Sequence, residues 1–370
     1  MTEFDSKYEM KEHSNGLIEN LDWTPLLMKW FDAHKRDLPW RTESPRDPYK
    51  VWVSEIMLQQ TRVEAVKDYY TNWVEHFPDI PTLAAAEEED VIHQWQGLGY
   101  YNRARNLHTA VREVMENYDG KVPETREEIR RLKGVGDYTA GAILSMAYGK
   151  RETAVDGNVL RVFARIYNIE ENILSAKVKK EITELVKARQ DAERPGDFNE
   201  ALMDLGATVC IPGQPRCDVC PLSTVCKAKA AGKEAEIPLR VTKREAPVEP
   251  VTVFVVRAGE LYLLHRRSSK GLLAGMWEFP NCVGEGEKGI EALTAELAAL
   301  GVHLKNVFGP VNQIRHVFSH KIWQMTVYKV SAEKDAGADS RLPSGWRWVP
   351  VTELADYNLA GPHNKILSLL

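Results

Sequence analysis

The spacing of hydrophobic positions changes once along the chain, and this change predicts two regions of different fold. From Trp23 to about Tyr167, apolar residues recur at the three- and four-residue intervals of amphipathic helices, beginning with "WTPLLMKWF". The same spacing predicts helices at 176–189 and 198–207, and no useful alternating pattern precedes residue 248. The sequence therefore predicts an all-α region of roughly 200 residues, a common domain size.

Beyond residue 250 the pattern becomes that of a sheet. The runs "VTVFVV" and "LYLLHRR", separated by a turn at 258–260, predict a β-hairpin. Further elements are expected in the order helix 289–300, strands near 324–330 and 346–349, and a last helix at 363–369. The second domain is therefore predicted to be α+β.

These patterns divide the chain into four segments. Residues 1–22 form a polar N-terminal segment, and residues 23–227 form the helical domain. Residues 228–250, "AKAAGKEAEIPLRVTKREAPVEP", are charged, carry three prolines and lack periodicity, as is typical of an interdomain linker. Residues 251–370 form the α+β domain.

Composition and charge narrow the possible surroundings and partners. The chain has 370 residues, of which 44% are hydrophobic, so a well-buried interior is expected. The net charge of −5 does not favour a nucleic-acid partner, although phosphate binding needs only a local basic surface. No apolar run approaches the roughly 20 residues of a membrane span. The N-terminus lacks an apolar signal core, so we expect a cytoplasmic protein with no membrane partner.

Cysteines are concentrated in one short stretch. Four of the five fall within 210–226, "CIPGQPRCDVCPLSTVC", with the spacing C-x6-C-x2-C-x5-C. Disulfides are not expected in a large chain without a signal peptide, and unbonded core cysteines would not crowd into one loop. Zinc and an iron–sulfur cluster both accept four thiolates, so either fits this stretch. The candidate ligands are Cys210, Cys217, Cys220 and Cys226.

This spacing resembles the [4Fe-4S] loop of the endonuclease III superfamily of DNA glycosylases, which implies that cluster as cofactor. A second stretch, "LKGVGDYTAGAIL" at 132–144, has Gly134 and Gly136 in a short loop that leads into a helix. Such loops present backbone N–H groups to anions. The stretch is similar to the helix-hairpin-helix of the same superfamily, which implies binding of DNA backbone phosphates without reading bases.

Asp156 lies in "AVDGNVLRV", just before a predicted helix. The ordinary interpretation is an N-cap, and helix amides would keep the pKa of its carboxyl low. "VDGNV" also matches the aspartate motif of the superfamily, which implies a catalytic role. A low pKa suits an anion that faces a developing cation.

Glu55 lies in "VWVSEIMLQQTRV" beside an apolar helix face of Val51, Trp52 and Leu58. It is either the edge of an amphipathic stripe or a carboxyl in a partly dry pocket whose pKa is raised. "SEIMLQQT" resembles the motif of the adenine-specific, MutY-type branch. That resemblance implies that Glu55 is the catalytic acid.

Tyr138 occupies a position that is a lysine in the bifunctional branch of the superfamily. That lysine attacks the sugar as an amine, whereas tyrosine forms no imine. Water is therefore the expected nucleophile, and β-elimination should be weak or absent. In the implied mechanism the base is extruded, Glu55 protonates adenine at N7, Asp156 stabilises the oxocarbenium-like sugar, and Tyr138 and Asn158 position the reacting groups.

The resemblance implies further contacts in the helical domain. The adenine pocket would comprise Leu38, Trp40, Arg41 and Glu200, and the DNA-binding residues would comprise Gln60, Leu98, Tyr100, Arg103, Arg105, Gly134 and Gly136. Gln60 would fill the gap left by the extruded base, and Tyr100 would stack beside the opposing base. The stretch "TESPRDP" is two residues longer than the resemblance leads us to expect.

The second domain resembles a Nudix fold at "GLLAGMWEFP". The acidic helix of Nudix hydrolases is degraded here to "GEGEKGIEALTAELAALG", so divalent-ion phosphate chemistry is not expected. "HVFSHKIW" matches the loop that recognises 8-oxoguanine, which implies roles for Phe318, Ser319 and His320. The N7–H of 8-oxoguanine is a donor where guanine has an acceptor, so a serine oxygen there distinguishes the two bases.

The resemblance thus implies a monofunctional adenine DNA glycosylase of base excision repair, with a helix-hairpin-helix domain followed by a Nudix-like domain. Its expected partner is double-stranded DNA with adenine opposite 8-oxoguanine or guanine. We expect a monomer in a bacterial-like, nucleoid-associated setting; docking of a sliding clamp or mismatch-repair factor on the linker is left open. The alternatives are an oxidised-pyrimidine glycosylase-lyase, a cluster-bearing DNA sensor and a nucleotide pyrophosphohydrolase.

Overall fold

The structure, a computed structural model, describes residues 22–42, 45–241, 246–318, 320–333, 342–367 and 370. The chain divides into two compact units. The first lies within Met1–Ala86 and Arg105–Thr242, and the second within Glu87–Ala104 and Lys243–Leu370. The segment Glu87–Ala104, which sequence spacing assigned to the helical domain, therefore clusters with the second unit. No helix among the described residues is long and apolar enough to cross a membrane.

The helical part contains short and medium helices joined by tight loops. In chain order these are α1 (Thr24–His34), α2 (Pro48–Leu58), α3 (Val63–His76), α4 (Ile80–Ala85), α5 (Glu88–Gln94), α6 (Asn102–Asn117), α7 (Arg126–Ile129), α8 (Asp137–Met146), α9 (Gly157–Tyr167), α10 (Ala176–Arg189), α11 (Pro195–Thr208) and α12 (Lys227–Ala230). A 3₁₀ turn at Pro39–Arg41 precedes α2. The helices predicted at 176–189 and 198–207 are confirmed as α10 and α11.

Local sequence explains where the helices that carry the candidate site begin. Proline stands at the first position of α2 and α11, where its missing N–H costs no helical hydrogen bond. The Asp47 side chain caps α2 by accepting a hydrogen bond from the backbone N–H of Tyr49 at 2.8 Å. Asp156 caps α9 in the same manner, and Asn168 ends that helix in the left-handed conformation, with φ +55°.

The core of the first unit fixes the rotation of α9 and α11. Val159, Val162 and Phe163 of α9 pack with Phe198 and Leu202 of α11 in one buried cluster, which also takes in residues of α1. Because both helices are anchored by these apolar faces, their polar faces are held in fixed directions. The start of α9 and the middle of α11 carry the acids described below.

The helix-hairpin-helix predicted at 132–144 is formed by α7, a turn and α8. Gly134 lies in the turn with φ +78°, a conformation that favours glycine. A Cβ atom at this position would also lie 2.8 Å from Cβ of Asn106. Both the backbone conformation and the close approach of Asn106 therefore favour glycine here. Gly136 begins α8 without a side-chain cap.

The second unit contains a mixed seven-stranded sheet with the path β3-β2-β1-β6-β5, while β4 pairs with β1 and β7 with β2. Its elements are β1 (Val248–Ala258), β2 (Leu261–Arg266), β3 (Trp277–Glu278), β4 (Asn281–Val283), α13 (Gly286–Ala299), β5 (His303–Val317), β6 (Ile322–Glu333), β7 (Trp346–Pro350) and α14 (Gly361–Asn364). The predicted hairpin is confirmed by the pairing of Ala258 with Leu261. β1 and β6 run parallel, and the remaining strand pairs are antiparallel.

Each face of this sheet has its own core. Val251, Val253 and Val255 of β1 point to one face, and Phe254 and Val256 point to the other, where α13 packs. β5 was not predicted because it is largely exposed and so lacks the alternation that marks a half-buried strand. The predicted terminal helix at 363–369 is observed as the shorter α14, and residues 368–369 lie outside the described part.

The segment predicted as a linker begins as packed chain. Ala228 of α12 is completely buried, and Ile237 is 4% exposed in the core of the first unit. The backbone N–H of Ile173 donates to the carbonyl of Leu239 at 3.1 Å. These apolar contacts hold the first part of the segment on the helical unit despite its charged composition.

Candidate active site

Glu55 lies on α2 with its side chain in the interior, 5% exposed. The Tyr138 hydroxyl donates a hydrogen bond to its Oε2 atom at 2.6 Å. Burial raises the pKa of Glu55 to about 7. The hydrogen bond from Tyr138 opposes this rise, whereas the negative charges of Glu200 and Asp156 add to it. Glu55 can therefore hold or release a proton near neutral pH.

Asp156 is held by the first turn of α9. Its Oδ1 atom accepts from the backbone N–H of Val159 at 2.8 Å, and its Oδ2 atom accepts from Nδ2 of Asn158 at 2.8 Å. The predicted low pKa for this carboxyl is wrong for the structure. Burial raises the pKa of Asp156 above its usual range and outweighs the amide hydrogen bonds, which favour the charged form.

Tyr138, the second residue of α8, brings the two acids into one site. Burial and the charges of Glu55 and Asp156 raise the pKa of its hydroxyl far above the usual range, so it remains a donor. An open cleft, called here the Asp156 cleft, is lined in part by Tyr138, Asp156 and Gly157. The acids that the sequence singled out are thus electrostatically coupled.

Glu200, on α11, is 3% exposed and fully engaged by arginines. Its Oε1 atom accepts from Nε of Arg41 at 2.9 Å and from Nη1 of Arg46 at 2.7 Å. Nη2 of Arg46 donates to Oε2 at 2.6 Å. A carboxylate bonded in this way is stable in the interior, because every charge has a partner of the opposite sign.

Asp204 extends this network one helical turn further along α11. It accepts from Nη2 of Arg36 at 2.6 Å and from Nη1 of Arg41 at 2.8 Å. Burial acts to raise the pKa of Asp204, but the two guanidinium groups outweigh it and lower the pKa. Sequence reasoning missed Arg36, Arg46 and Asp204. The four-residue spacing of Glu200 and Asp204 on one helix face could have found Asp204, whereas no local signal marks Arg36 and Arg46, which lie 168 and 154 residues from their partners.

Leu38 and Trp40 lie at the 3₁₀ turn that also carries Arg41, Leu38 directly before the turn and Trp40 within it. Both are buried, at 3% and 8% exposure. The Trp40 ring packs edge-on against Tyr70 with the ring centroids 5.4 Å apart. Trp40 and Arg46 also line a second open cleft beside α2 and α3. Of the residues predicted for an adenine pocket, Arg41 and Glu200 are in direct contact, and Leu38 and Trp40 are close to Arg41 along the chain.

Comparison with known proteins gives the family. Residues 53–188 match the model of the HhH-GPD superfamily base excision DNA repair protein, and residues 252–369 match that of the NUDIX domain. An adenine DNA glycosylase of Rattus norvegicus is 36% identical, over 92% of this chain and 76% of its own. The chain belongs to the adenine DNA glycosylase family. Adenine DNA glycosylases act in base excision repair by hydrolysing an N-glycosidic bond.

Two further matches agree with this assignment. An adenine DNA glycosylase of Homo sapiens is 36% identical, over 88% of this chain and 70% of its own. A solved structure described as a thermostable thymine-DNA glycosylase superposes with a TM-score of 0.51 at 29% identity. It covers 56% of this chain and 95% of its own. The predicted fold, a helical glycosylase domain followed by a Nudix-like domain, is confirmed.

Two residues predicted to contact DNA in this glycosylase adopt unusual backbone conformations. Gln60 is exposed and has φ +59°, and Tyr100 is 48% exposed with φ +50°. Non-glycine residues rarely adopt these values, and such strain is concentrated at ligand-binding and active sites. Each side chain is available at the surface of its own unit.

Leu98 and Arg103 are less exposed than Tyr100. Leu98 is 7% exposed and Arg103 is half-buried, and their contacts with DNA remain predictions. Arg103 donates to the carbonyls of Leu98 and Gly99 at 3.2 and 3.1 Å, and its guanidinium lies 5.7 Å from the Tyr100 ring centroid. Burial lowers the pKa of Arg103 to about 10. Arg103 therefore supports the loop that presents Tyr100.

The four cysteines predicted as ligands line one pocket, together with Arg165 and Lys229. Nη1 of Arg165 lies 3.3 Å from Sγ of Cys210. Among the described residues no three His, Cys, Asp or Glu side chains already converge as ligands of a single metal ion. Four thiols around one pocket, with cations beside them, nevertheless suit a group that binds thiolates.

A chain of hydrogen bonds links the cysteine loop to Asp156. Nε of Arg161 donates to the carbonyl of Cys210 at 2.8 Å, and its Nη2 donates to Oδ1 of Asn158 at 2.8 Å. Asn158 donates in turn to Asp156. Asn158 was predicted from the sequence as a positioning residue, whereas Arg161 was missed. Its position one turn after Asn158 on α9 was the available signal.

The predicted lesion-recognition loop lies at the turn between β5 and β6. The Phe318 ring packs edge-on against Trp323, with the centroids 5.0 Å apart, and its backbone N–H donates to the carbonyl of Lys321. His320 is exposed, and Ser319 lies outside the described residues. On α13, the side chains of Glu291 and Glu296 are exposed.

Proposed function

We propose that this adenine DNA glycosylase removes adenine paired with 8-oxoguanine or guanine, by hydrolysis and without strand cleavage. The observation that carries the proposal is the hydrogen bond that Tyr138 donates to Glu55. The pKa of Glu55 is also raised by the charge of Asp156. The Tyr138 hydroxyl is subject to the charges of both Glu55 and Asp156, so the two acids act in one site. The same position, Tyr138, supplies no amine for a covalent imine.

Glu55 acts as the proton donor. With a pKa of about 7, a large fraction of the group is protonated at neutral pH. Transfer of this proton to N7 of the extruded adenine lets the base leave as a neutral molecule. The pKa also suits the reverse transfer, since the ionised Glu55 can then accept a proton from the attacking water.

Asp156 stabilises the positive charge that develops on the sugar when the glycosidic bond breaks. Its carboxylate is fixed by Val159 N–H and Asn158, so no reorganisation is needed as the charge appears. The pKa of Asp156 is raised in the protein alone, where burial outweighs the charge of Arg161. A developing oxocarbenium ion favours the ionised form, as an opposite charge does in general.

Glu200 and the arginines around it form the polar side of the adenine pocket, and Leu38 and Trp40 form its apolar side. The exocyclic amine of adenine is a donor, and Glu200 is an acceptor whose orientation is fixed by Arg41 and Arg46. The fixed orientation favours a base with a donor at this position.

The four cysteines are proposed to hold a [4Fe-4S] cluster. Their shared pocket and the neighbouring cations, Arg165 and Lys229, fit the negative charge of four thiolates. A bound cluster would crosslink the loop 210–226 and so fix the carbonyl of Cys210 that anchors Arg161. The chemistry of base removal uses only the residues described above.

The second unit is proposed to read the base opposite adenine through Phe318, Ser319 and His320. The Phe318 ring of this loop packs against Trp323. A serine hydroxyl that accepts from N7–H of 8-oxoguanine would face an acceptor in guanine. One such contact discriminates between bases by about 1–3 kcal/mol.

The decisive experiment measures single-turnover excision on one duplex that carries adenine opposite 8-oxoguanine, guanine, thymine or cytosine. We expect excision opposite 8-oxoguanine and guanine and strand breaks only after alkali. Glu55→Gln should lose excision but keep DNA binding. Retained excision by this variant, or equal rates on all four duplexes, would contradict the proposal.

Two controls separate the parts of the proposal. Ser319→Ala should reduce the preference for 8-oxoguanine over guanine about tenfold, whereas Ser319→Thr, which keeps a hydroxyl, should preserve most of it. Borohydride should trap no covalent adduct of the wild-type protein on DNA, because trapping requires an imine formed by an amine. A robust adduct would indicate glycosylase-lyase chemistry.

A further inference from the structure

The Asp156 cleft has a wall that the proposed chemistry does not use. One side of the cleft carries Tyr138 and Asp156, and the other side is an exposed face of α10. The α10 residues that line the cleft are Lys179, Lys180, Thr183, Glu184 and Lys187. Three of these five residues are lysines, although the chain as a whole carries a net charge of −5.

The rotation of α10 is fixed by its apolar side. Val178, Ile182 and Val186 are buried at four-residue intervals in the core of the first unit. Because this stripe cannot turn outward without exposing apolar area, the cleft-facing residues keep their direction. The lysine side chains are exposed, as binding of an external anion requires.

The positive charge of this face is not neutralised within the protein. Arg126, elsewhere on the cleft rim, forms ion pairs with Glu152 and Asp137. Over the described parts of the chain, none of the three α10 lysines forms an ion pair. Glu184 is the single acid on the α10 wall. The wall therefore carries a surplus of positive charge directly beside the acid that is proposed to meet the sugar.

We propose that Lys179, Lys180 and Lys187 bind phosphates of the DNA strand whose nucleotide enters the Asp156 cleft. This rests on the proposed function, which places a nucleotide at Asp156. The contact is electrostatic and independent of base sequence. It adds a second phosphate-binding surface to the helix-hairpin-helix.

The spacing along α10 fits a nucleic-acid strand. Lys180 and Lys187 are seven residues apart, which corresponds to about 10.5 Å of helix rise. Successive phosphates of one B-DNA strand advance by about 3.4 Å along the duplex axis. The separation of the two lysines exceeds this advance, so their long side chains can contact different phosphates of one strand, with Lys179 beside Lys180.

The test measures DNA affinity as a function of salt concentration, with the full-length protein. The probe is a duplex with a tetrahydrofuran abasic analogue opposite guanine, which contains no base to excise at that position. Each phosphate contact contributes about 0.9 to the slope of log K against log salt concentration. The triple variant Lys179→Gln, Lys180→Gln, Lys187→Gln should lose about 2–3 from this slope and bind more than about tenfold more weakly at 0.1 M salt.

A charge-matched control uses exposed lysines outside the cleft. Lys29→Gln, Lys177→Gln, Lys288→Gln removes the same net charge, and Lys177 lies on α10 itself. This control should keep most of the wild-type dependence of log K on log salt concentration. The triple variant Lys179→Arg, Lys180→Arg, Lys187→Arg, which keeps the positive charges, should have the wild-type slope. An unchanged slope in the α10 Gln triple, or an equal loss in the control, would overturn the proposal.

The result is separable from the proposed reaction. If adenine excision opposite 8-oxoguanine is observed but the α10 triple keeps the wild-type salt slope, only the lysine face is wrong. If the slope falls but no adenine is excised from any duplex, the proposed reaction fails while the DNA-binding face stands.

Discussion

Replacement of Tyr138 by phenylalanine should move the pH dependence of excision to higher pH. In the wild-type protein the Tyr138 hydroxyl donates to Glu55 at 2.6 Å, and this bond favours the ionised carboxylate. Tyr138→Phe removes the donor but leaves the aromatic ring, so Glu55 stays buried. Burial is the main cause of its raised pKa, and it would then act with less opposition.

The magnitude follows from the strength of that hydrogen bond. A hydrogen bond to a charged group contributes about 1.5–3 kcal/mol, and one pKa unit corresponds to about 1.36 kcal/mol. The pKa of Glu55 should therefore rise by about one to two units from its value of about 7. A proton donor is active below its pKa, so the wild-type rate falls as pH rises through about 7, and the variant rate should fall later.

The assay is the second-order rate constant of excision, measured with subsaturating protein between about pH 5.5 and 9, because this constant reports groups of the free enzyme. Tyr148→Phe is the matched control, since the Tyr148 hydroxyl donates to the carbonyl of Val122 and not to an acid. Its alkaline limb should coincide with that of the wild type. A Tyr138→Phe limb at unchanged or lower pH would refute the assignment of Glu55 as the proton donor.

Three further outcomes follow from the same contacts. Glu55→Gln should stabilise the helical unit at pH 8 by up to about 3 kcal/mol, because the raised pKa of about 7 means that ionisation of the buried Glu55 destabilises the wild type as pH rises from 4.5 to 7. Below about pH 4.5 the stabilisation should vanish. Urea unfolding at both pH values measures this, and equal stabilisation at both would contradict it. Arg46→Met should destabilise the protein by about 1.5–3 kcal/mol in urea unfolding, because Glu200 loses the bonds from Arg46 and keeps only that from Arg41. Arg46→Lys should be intermediate, and unfolding midpoints of both variants equal to that of the wild type would remove Arg46 from the network. Asn158→Ala should slow single-turnover excision about 10–100-fold with unchanged DNA affinity, because one hydrogen bond that holds Asp156 is lost. As a control, the same substitution at the exposed Asn117 should have no effect. Parallel losses of rate and affinity in Asn158→Ala would indicate a general structural role.

Local sequence was sufficient where the physical cause is local. The cap at Asp156 follows from an aspartate directly before an apolar-periodic segment, and the helices at 176–189 and 198–207 follow from their spacing. The hairpin of β1 and β2 follows from two apolar runs around a turn. The resemblance of motifs indicated the adenine DNA glycosylase family, because Glu55, Asp156 and the four clustered cysteines lie in stretches that match the motifs of this family.

Only the tertiary structure decided the electrostatics of the site. The pKa of Asp156 is set by how much water the fold removes, which a helix start alone does not reveal, so the predicted lowering became a rise. Arg46 and Glu200 are separated by 154 residues along the chain, and they meet because α2, which follows Arg46, and α11, which carries Glu200, both pack against α8. The lysines of α10 likewise face the Asp156 cleft only through the burial of Val178, Ile182 and Val186. Short-range spacing determines where helices begin and which side is apolar, whereas burial and long-range contacts determine which charges meet.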